Sequence, residues 1–320
     1  MIALGSDLLE VKSLQKHFRT NGKNIVRAVD GVSFSIPAGR TLGLVGESGC
    51  GKTTLGRLIM QLYRPDAGEI LFNGKNIHEL SFRESRKLRR DMQMVFQDPK
   101  SSLNPYLTMR EIIADGMRIH KLCASPQEEN ERVLELLHSV GLSANQIDCY
   151  PNMLSGGQQQ RVGIARALAL TPRLLVCDEV VSALDVSMQA QIVNLLLQKQ
   201  QENALTYLFI SHDLYLVRHV SDTIAVMYAG MIMEYASAAA LIDNPLHPYT
   251  QRLISSIPVF NQTVKIEHPA GTRDGAASQQ GCRFSDQCKY AGPMCKERLP
   301  ELYEVEPGHF VRCHSLTSDK

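Results

Sequence analysis

Short apolar runs alternate with longer stretches of helical spacing along this chain. Residues 8–14 alternate loosely and read as a strand, residues 28–36 read as a second, and Phe18 falls between them in a polar loop. After the turn Pro37-Ala38-Gly39, residues 40–45 read as a buried strand, and residues 54–60 carry apolar side chains at helix-forming spacing. A short strand at 69–72 ends in Asn73-Gly74, a strong hairpin signal. A helical pattern runs from 109 to about 141, with Pro126 near a helix start, and a second helical stretch follows Pro151. Residues 174–177 form an unbroken apolar run closing on Asp178-Glu179, as in a strand covered on both faces. A helix at 189–201, a buried strand at 206–210 and a hairpin around Ala229-Gly230 come next. Asn244-Pro245 marks a boundary, and residues 261–281, rich in Gly, Ala, Ser and Gln, read as a linker. No period of 20–50 residues recurs, which excludes a repeat architecture.

Composition narrows the class. With 320 residues, 44% of them hydrophobic, the chain can bury one large core and a smaller one. A net charge of +1 offers no general field for a polyanion. The basic run at 83–90 is interleaved with Glu84 and Ser85 and reads as a solvated helix face, so nucleic acid is not an expected partner. The longest apolar stretch, residues 223–233, falls short of the roughly 18–20 residues a membrane span needs. Residues 1–10 lack the basic start and apolar run of a secretory signal. A cytosolic location is expected, and the eight cysteines are then not expected to form a disulfide framework.

The chemistry centres on Gly46-Glu47-Ser48-Gly49-Cys50-Gly51-Lys52-Thr53, a G-x-x-x-x-G-K-[ST] phosphate loop between a strand and a helix. Its glycines allow close backbone approach, so that successive N–H groups can surround phosphate oxygens at a helix N-terminus. The expected nucleotide-binding set here is Gly46, Ser48, Gly49, Cys50, Gly51, Lys52, Thr53 and Thr54, with Lys52 reaching the β- and γ-phosphates and Thr53 offering its hydroxyl to Mg²⁺. Asp178 is expected to hold Mg²⁺ through its water shell, and Glu179 to poise the attacking water. Ser155-Gly156-Gly157-Gln158 opens another helix and is a second place suited to an anion, although Ser155 is also an ordinary helix cap.

These motifs, followed by Ser182-Ala183-Leu184-Asp185 and Ile210-Ser211-His212-Asp213, occur in an order that resembles the ATP-binding-cassette (ABC) ATPases. Residues 96–105 (FQDPKSSLNP) and 244–250 (NPLHPYT) are similar to the subgroup that energises oligopeptide, dipeptide and nickel importers. The resemblance implies an α/β fold of the P-loop NTPase type. It would have a mixed-sheet core, an antiparallel β subdomain, an α-helical subdomain at about 98–165 and a small Cys-rich C-terminal extension. The nucleotide-binding domain would span 1–243 and the extension 244–320. It also implies that two cassettes close head to tail around two ATP molecules, each site joining one chain's phosphate loop to Ser155, Gly156, Gly157 and Gln158 of the other. Gln97 would join Mg²⁺ and the water, His212 would contact the γ-phosphate, Phe18 would lie against adenine, and Asp185 would shape the dimer contact. The sequence departs from the subgroup at Val180, where proline is usual.

Cys282, Cys288, Cys295 and Cys313 crowd the C-terminal end at spacing C-x₅-C-x₆-C-x₁₇-C. Four thiolates can hold zinc or an iron–sulfur cluster, and zinc more often uses tight C-x₂₋₄-C pairs, absent here. The spacing, with Phe284, Ala291, Pro300, Leu302 and His309, resembles the iron–sulfur tail of some peptide-importer ATPases; Arg283 and Lys289 stand where prolines are common. A [4Fe–4S] cluster is expected, with zinc or free thiols as alternatives.

The resulting expectation is a Mg²⁺-dependent ATPase subunit of a peptide importer. It would sit peripherally at the cytoplasmic face of the inner membrane. Its partners would be two permease subunits, a second ABC ATPase (a paralogue or a second copy) and an extracytoplasmic solute-binding protein. The rival readings are a soluble ABC ATPase acting on nucleic acid or ribosomes, and a module that binds ATP but barely hydrolyses it.

Overall fold

A computed structural model describes residues 7–20, 24–182, 184–256 and 280–316. Most of the expected linker (261–279), the first six residues of the chain and Ala183 lie outside the described residues.

Strands β1 (Asp7–Thr20) and β2 (Asn24–Pro37) form a long antiparallel hairpin whose register runs from Asp7 opposite Pro37 to Thr20 opposite Asn24. Phe18 is therefore a strand residue opposite Val26, not a loop residue. Ladder pairing with β2 carries this polar stretch into the sheet, against the local pattern. Strand β3 (Thr41–Val45) leads through the phosphate loop into helix α1 (Lys52–Ile59). Strands β4 (Ala67–Phe72) and β5 (Lys75–Asn76) turn at Asn73-Gly74 and complete a four-stranded antiparallel sheet ordered β2-β1-β4-β5.

Helix α2 (Phe82–Asp91) carries the basic run on its mostly exposed surface, with only Leu88 buried. It feeds β6 (Met92–Val95), a strand too short to show in the apolar pattern. Helices α3 (Pro99–Ser102), α4 (Met109–His120), α5 (Pro126–Ser139) and α6 (Gly156–Leu168) form a helical layer packed through Ile113, Met117, Val133, Leu137 and Val162. Thr108 with Glu111 and Ser155 with Gln158 are reciprocal capping boxes that start α4 and α6.

Strand β7 (Leu174–Asp178), helix α7 (Val186–Asn203), strand β8 (Thr206–Ser211), helix α8 (Leu214–Val220) and the hairpin β9 (Thr223–Tyr228) and β10 (Met231–Ser237) complete the centre. The second sheet has eight strands ordered β11-β12-β10-β9-β3-β8-β7-β6. Within it β9, β3, β8, β7 and β6 run parallel. Every residue of β3, β7 and β8 is buried, as continuous apolar runs require when both faces are covered. Parallel pairing brings the C-terminal ends of β3, β8, β7 and β6 to one edge, with Val45 beside Ser211, Asp178 beside Ile210 and Val95 beside Cys177. Ligands of parallel α/β sheets bind outside such an edge.

The C-terminal residues are built into this body. Helix α9 (Ala238–Asp243) and helix α10 (Pro248–Ser255) are followed by α11 (Pro293–Glu297), β11 (Tyr303–Glu306) and β12 (His309–Val311). Strand β12 pairs antiparallel with β10, Glu234 opposite Val311; Val311 is fully buried, and Phe284 enters the main core. Glu234 is fully buried, accepts from the amides of Leu246 and His247 at 2.8 and 2.9 Å, and lies 2.7 Å from His309 Nε2. No helix among the described residues is long and apolar enough to cross a membrane.

Candidate functional site

The phosphate loop turns where only glycine fits. A Cβ at Gly46 would stand 2.1 Å from the Met227 carbonyl oxygen, and one at Gly51, whose φ is +113°, 2.0 Å from that of Ala28. Ser48 and Gly49 are exposed at the loop tip, while Cys50 and Lys52 are buried. Lys52 Nζ donates to the Gly46 and Glu47 carbonyls at 2.7 and 3.0 Å, so its charge is aimed into the loop's own concavity. Burial pushes the Cys50 thiol up, against the opposing effect of Lys52 3.8 Å away. Thr53 and Thr54 lie half-buried in the first turn of α1.

The strand-end residues meet this loop. Thr53 Oγ1 donates to Asp178 Oδ1 at 3.1 Å. Asp178 is 2% exposed, and burial raises its carboxyl above the usual aspartate range despite the Thr53 hydrogen bond. A buried carboxylate beside a hydroxyl and a nearby lysine fits a Mg²⁺–nucleotide site, because a cation would relieve that desolvation. Glu179 breaks from the strand at φ +47°, in the left-handed region that non-glycine residues rarely occupy. That turn sends its carboxylate to Gln97 Nε2, which donates at 2.7 Å, with His212 Nδ1 at 3.8 Å. Val180 is buried in the core behind it.

Thus Lys52, Thr53, Asp178, Glu179, Gln97 and His212 stand at one sheet edge. Phe18 packs edge-on against Tyr63, ring centroids 5.6 Å apart, beneath Lys16. Ser155 and Gln158 do not join the cluster through their hydrogen bonds, which close on each other. Gly156 is exposed with open space beside it, and a Cβ at Gly157 would stand 2.3 Å from Met188 Cε. Asp185 caps α7, accepting from Met188 N at 2.9 Å and Ser187 Oγ at 2.7 Å; these bonds lower its carboxyl.

The cysteine expectation meets a different geometry. All eight cysteines are free thiols. Cys282 donates its amide to the Cys295 carbonyl at 2.7 Å, and Cys313 Sγ lies 3.0 Å from Ser315 Oγ. Burial, with smaller contributions from the other three cysteines, pushes the Cys282 thiol up to about 11, and burial also raises Cys288. Among the described residues no group of three or more His, Cys, Asp or Glu is arranged to hold a metal ion. The four thiols thus gather in one module but do not form the ligand set expected for a cluster or zinc.

Two residues of the extension to which the sequence assigns no role also reach the loop. Tyr249 accepts from the Glu47 amide at 2.9 Å, and Arg252 pairs with the Glu47 carboxylate at 2.7 Å. The only sequence signal was the 244–250 segment itself, which carries no sign of its target.

Comparison with known proteins agrees with this geometry. A family model described as ABC transporter matches residues 29–182, and one described as Oligopeptide/dipeptide transporter, C-terminal region, matches 233–295. The putative oligopeptide transport ATP-binding protein YkfD of Bacillus subtilis is 49% identical over 312 residues, covering 96% of this chain and 95% of that protein. AppF of the same organism, an oligopeptide transport ATP-binding protein, is 49% identical over 319 residues, covering 96% and 97%. The ATP-binding cassette MJ0796, in a dimeric post-hydrolysis state bound to ADP and Pi, superposes with a TM-score of 0.67 at 31% identity, covering 72% of this chain and 98% of that one.

Proposed function

The chain belongs to the ABC transporter family, among its oligopeptide transport ATP-binding proteins, and from that premise we propose that it powers uptake of di- or oligopeptides or related small solutes through separate permease subunits. Its activity is ATP hydrolysis. Residues 1–243 serve as the nucleotide-binding domain and 244–320 as the extension. The observation that carries the reading is the meeting of Thr53, Asp178, Glu179 and Gln97 at one sheet edge.

The roles follow from that geometry. The amides of Ser48 to Lys52 and the Lys52 ammonium take the phosphates. Thr53 and Asp178, with Gln97, hold Mg²⁺, which supplies charge neutralisation at the phosphates when bound. Glu179 orients the attacking water, with Gln97 and His212 beside it. Phe18 stacks on the base. Ser155, Gly156, Gly157 and Gln158 complete the site of a partner cassette, a paralogue or a second copy; the exposure of Ser155 and Gly156 and the self-contained capping of Ser155 with Gln158 support this. The buried Val180 keeps Glu179 anchored without the usual proline, so hydrolysis persists, which opposes the binding-only alternative. Work at the cytoplasmic face of the membrane and delivery by an extracytoplasmic binding protein complete the proposal. The four tail cysteines are proposed as ligands of a [4Fe–4S] cluster that draws them together on binding, since the unliganded thiols share one module without forming a ligand set. Anaerobic isolation with iron, sulfide and zinc analysis tests this; zinc alone, or no metal, refutes it.

Co-expression with permeases and reconstitution in liposomes tests the main reading. Peptide-loaded binding protein should stimulate ATP turnover. Co-purification with ribosomes or DNA and no permease would contradict it. The named relatives already favour transport over that soluble alternative.

A further inference from the structure

Glu47, the second residue of the phosphate loop, is held from outside the loop at both its backbone and its side chain. Its amide donates to the Tyr249 hydroxyl at 2.9 Å, across 202 residues of sequence, and its carboxylate receives Arg252 at 2.7 Å. Both partners lie on α10. The Tyr249 ring is fully buried, 4.7 Å from Tyr228 at the end of β9 and 5.4 Å from Phe284. The Arg252 guanidinium lies over two of these rings, 5.4 Å from the centre of Tyr249 and 4.9 Å from that of Phe284. Gln287 accepts from its other side. The phosphate loop is thus joined, by one tyrosine and one arginine, to the segment between Cys282 and Cys288.

Within the loop Glu47 is held at its carbonyl, by Lys52 Nζ at 3.0 Å and by the Cys50 amide, while its own amide and carboxylate find their partners outside. Residues 47–49 are exposed, Gly46 and Gly49 both have positive φ, and the internal bond from Cys50 N to Glu47 O is long at 3.3 Å. A phosphate cradle made of N–H groups binds best when those groups are already aligned, because ordering them on binding costs affinity. Tyr249 and Arg252 supply fixed partners where the loop lacks them. Neither takes an amide beyond Glu47, so the N–H groups of Ser48, Gly49, Gly51 and Lys52 stay available to phosphate, and that of Cys50 is engaged only by its long bond to Glu47.

We propose that Tyr249 and Arg252 are positioning residues that hold the phosphate loop in its ATP-accepting shape, which makes the C-terminal extension part of the nucleotide site without touching nucleotide. This rests on the reading that the loop binds ATP. It also makes the extension a route by which changes in the cysteine module reach the nucleotide.

The test uses the full-length chain, with Mg-ATP affinity measured by calorimetry beside the melting midpoint without nucleotide. Tyr249→Phe keeps the buried ring and removes only the hydroxyl. It should weaken Mg-ATP about five- to tenfold, the effect of one net hydrogen bond, while the unliganded midpoint stays within about 2 °C. Glu47→Gln keeps the amide bond to Tyr249, loses the Arg252 charge pair, and should weaken Mg-ATP about two- to fivefold. Unchanged affinity in both variants, tighter binding in either, or a lowered midpoint with wild-type affinity would overturn the brace. A wild-type chain that does not bind Mg-ATP would sink the nucleotide reading itself, and the brace with it.

Discussion

Thr53 Oγ1 donates to Asp178 Oδ1 at 3.1 Å, tying the first turn of the phosphate-loop helix to the end of strand β7. That aspartate is nearly inaccessible, and burial raises its carboxyl. A group whose folded-state value is raised costs stability when ionised. The cost is full above the folded value and vanishes as pH falls below the unfolded aspartate value near 3.9. Asp178→Asn should therefore raise the melting midpoint of the nucleotide-free chain at pH 7 by about 2–4 °C, with the gain shrinking towards pH 4. The same variant should lose the further stabilisation that Mg-ATP gives the wild type. Thermal melts across pH, with and without Mg-ATP, check both halves.

Gly156 opens α6, and a Cβ added there would meet nothing within 4 Å, so the fold itself makes no demand for glycine. A partner's nucleotide does, if it seats against this helix start. Gly156→Val should leave the midpoint within about 2 °C and leave ATP binding by the separate chain intact. Turnover of the paired cassettes should fall about a hundredfold through misplacement of the reacting groups. Steady-state turnover beside single-chain ATP binding separates the two effects.

Arg283, almost fully buried, pairs with Asp30 on β2 and donates to the Ala229 carbonyl. Asp30 keeps Arg27 and His17, each at 3.4 Å, so Arg283→Ala removes one charged hydrogen bond rather than stranding the carboxylate and should cost about 2 kcal/mol. Denaturant unfolding measures the loss, and limited proteolysis should cut the extension sooner than in the wild type.

The centre of this fold was legible because its strands are unbroken apolar runs. Residues 174–177 and 206–210 announce burial on both faces, and the glycines and Lys52 of the phosphate loop announce their own chemistry. Pairings between distant segments leave no such mark. Phe18 sits in a polar stretch that becomes a strand only because Val26 lies opposite it. Strand β6, four residues behind a basic helix, is too short to show a period, and β12 reveals its place only beside β10. The cysteine count was visible, but the arrangement of the thiols was not, since it depends on backbone bonds between separated residues such as Cys282 and Cys295. Tyr249 lies within the recognisable 244–250 segment and Arg252 just beyond it, yet their target, Glu47, is about 200 positions away.

The central claim is that this edge hydrolyses ATP with Glu179 as the residue that poises water. Gln97 and His212 approach its carboxylate at 2.7 and 3.8 Å, while Lys52, Thr53 and Asp178 stand on the phosphate side. Glu179→Gln keeps size and hydrogen-bonding capacity but removes the base. The most direct measurement is single-turnover ATP hydrolysis by this variant in the assembled transporter, with bound nucleotide quantified in the same sample. Turnover should fall about 10²–10⁴-fold with ATP still bound and the paired cassettes held closed. Wild-type turnover in that variant would contradict the claim.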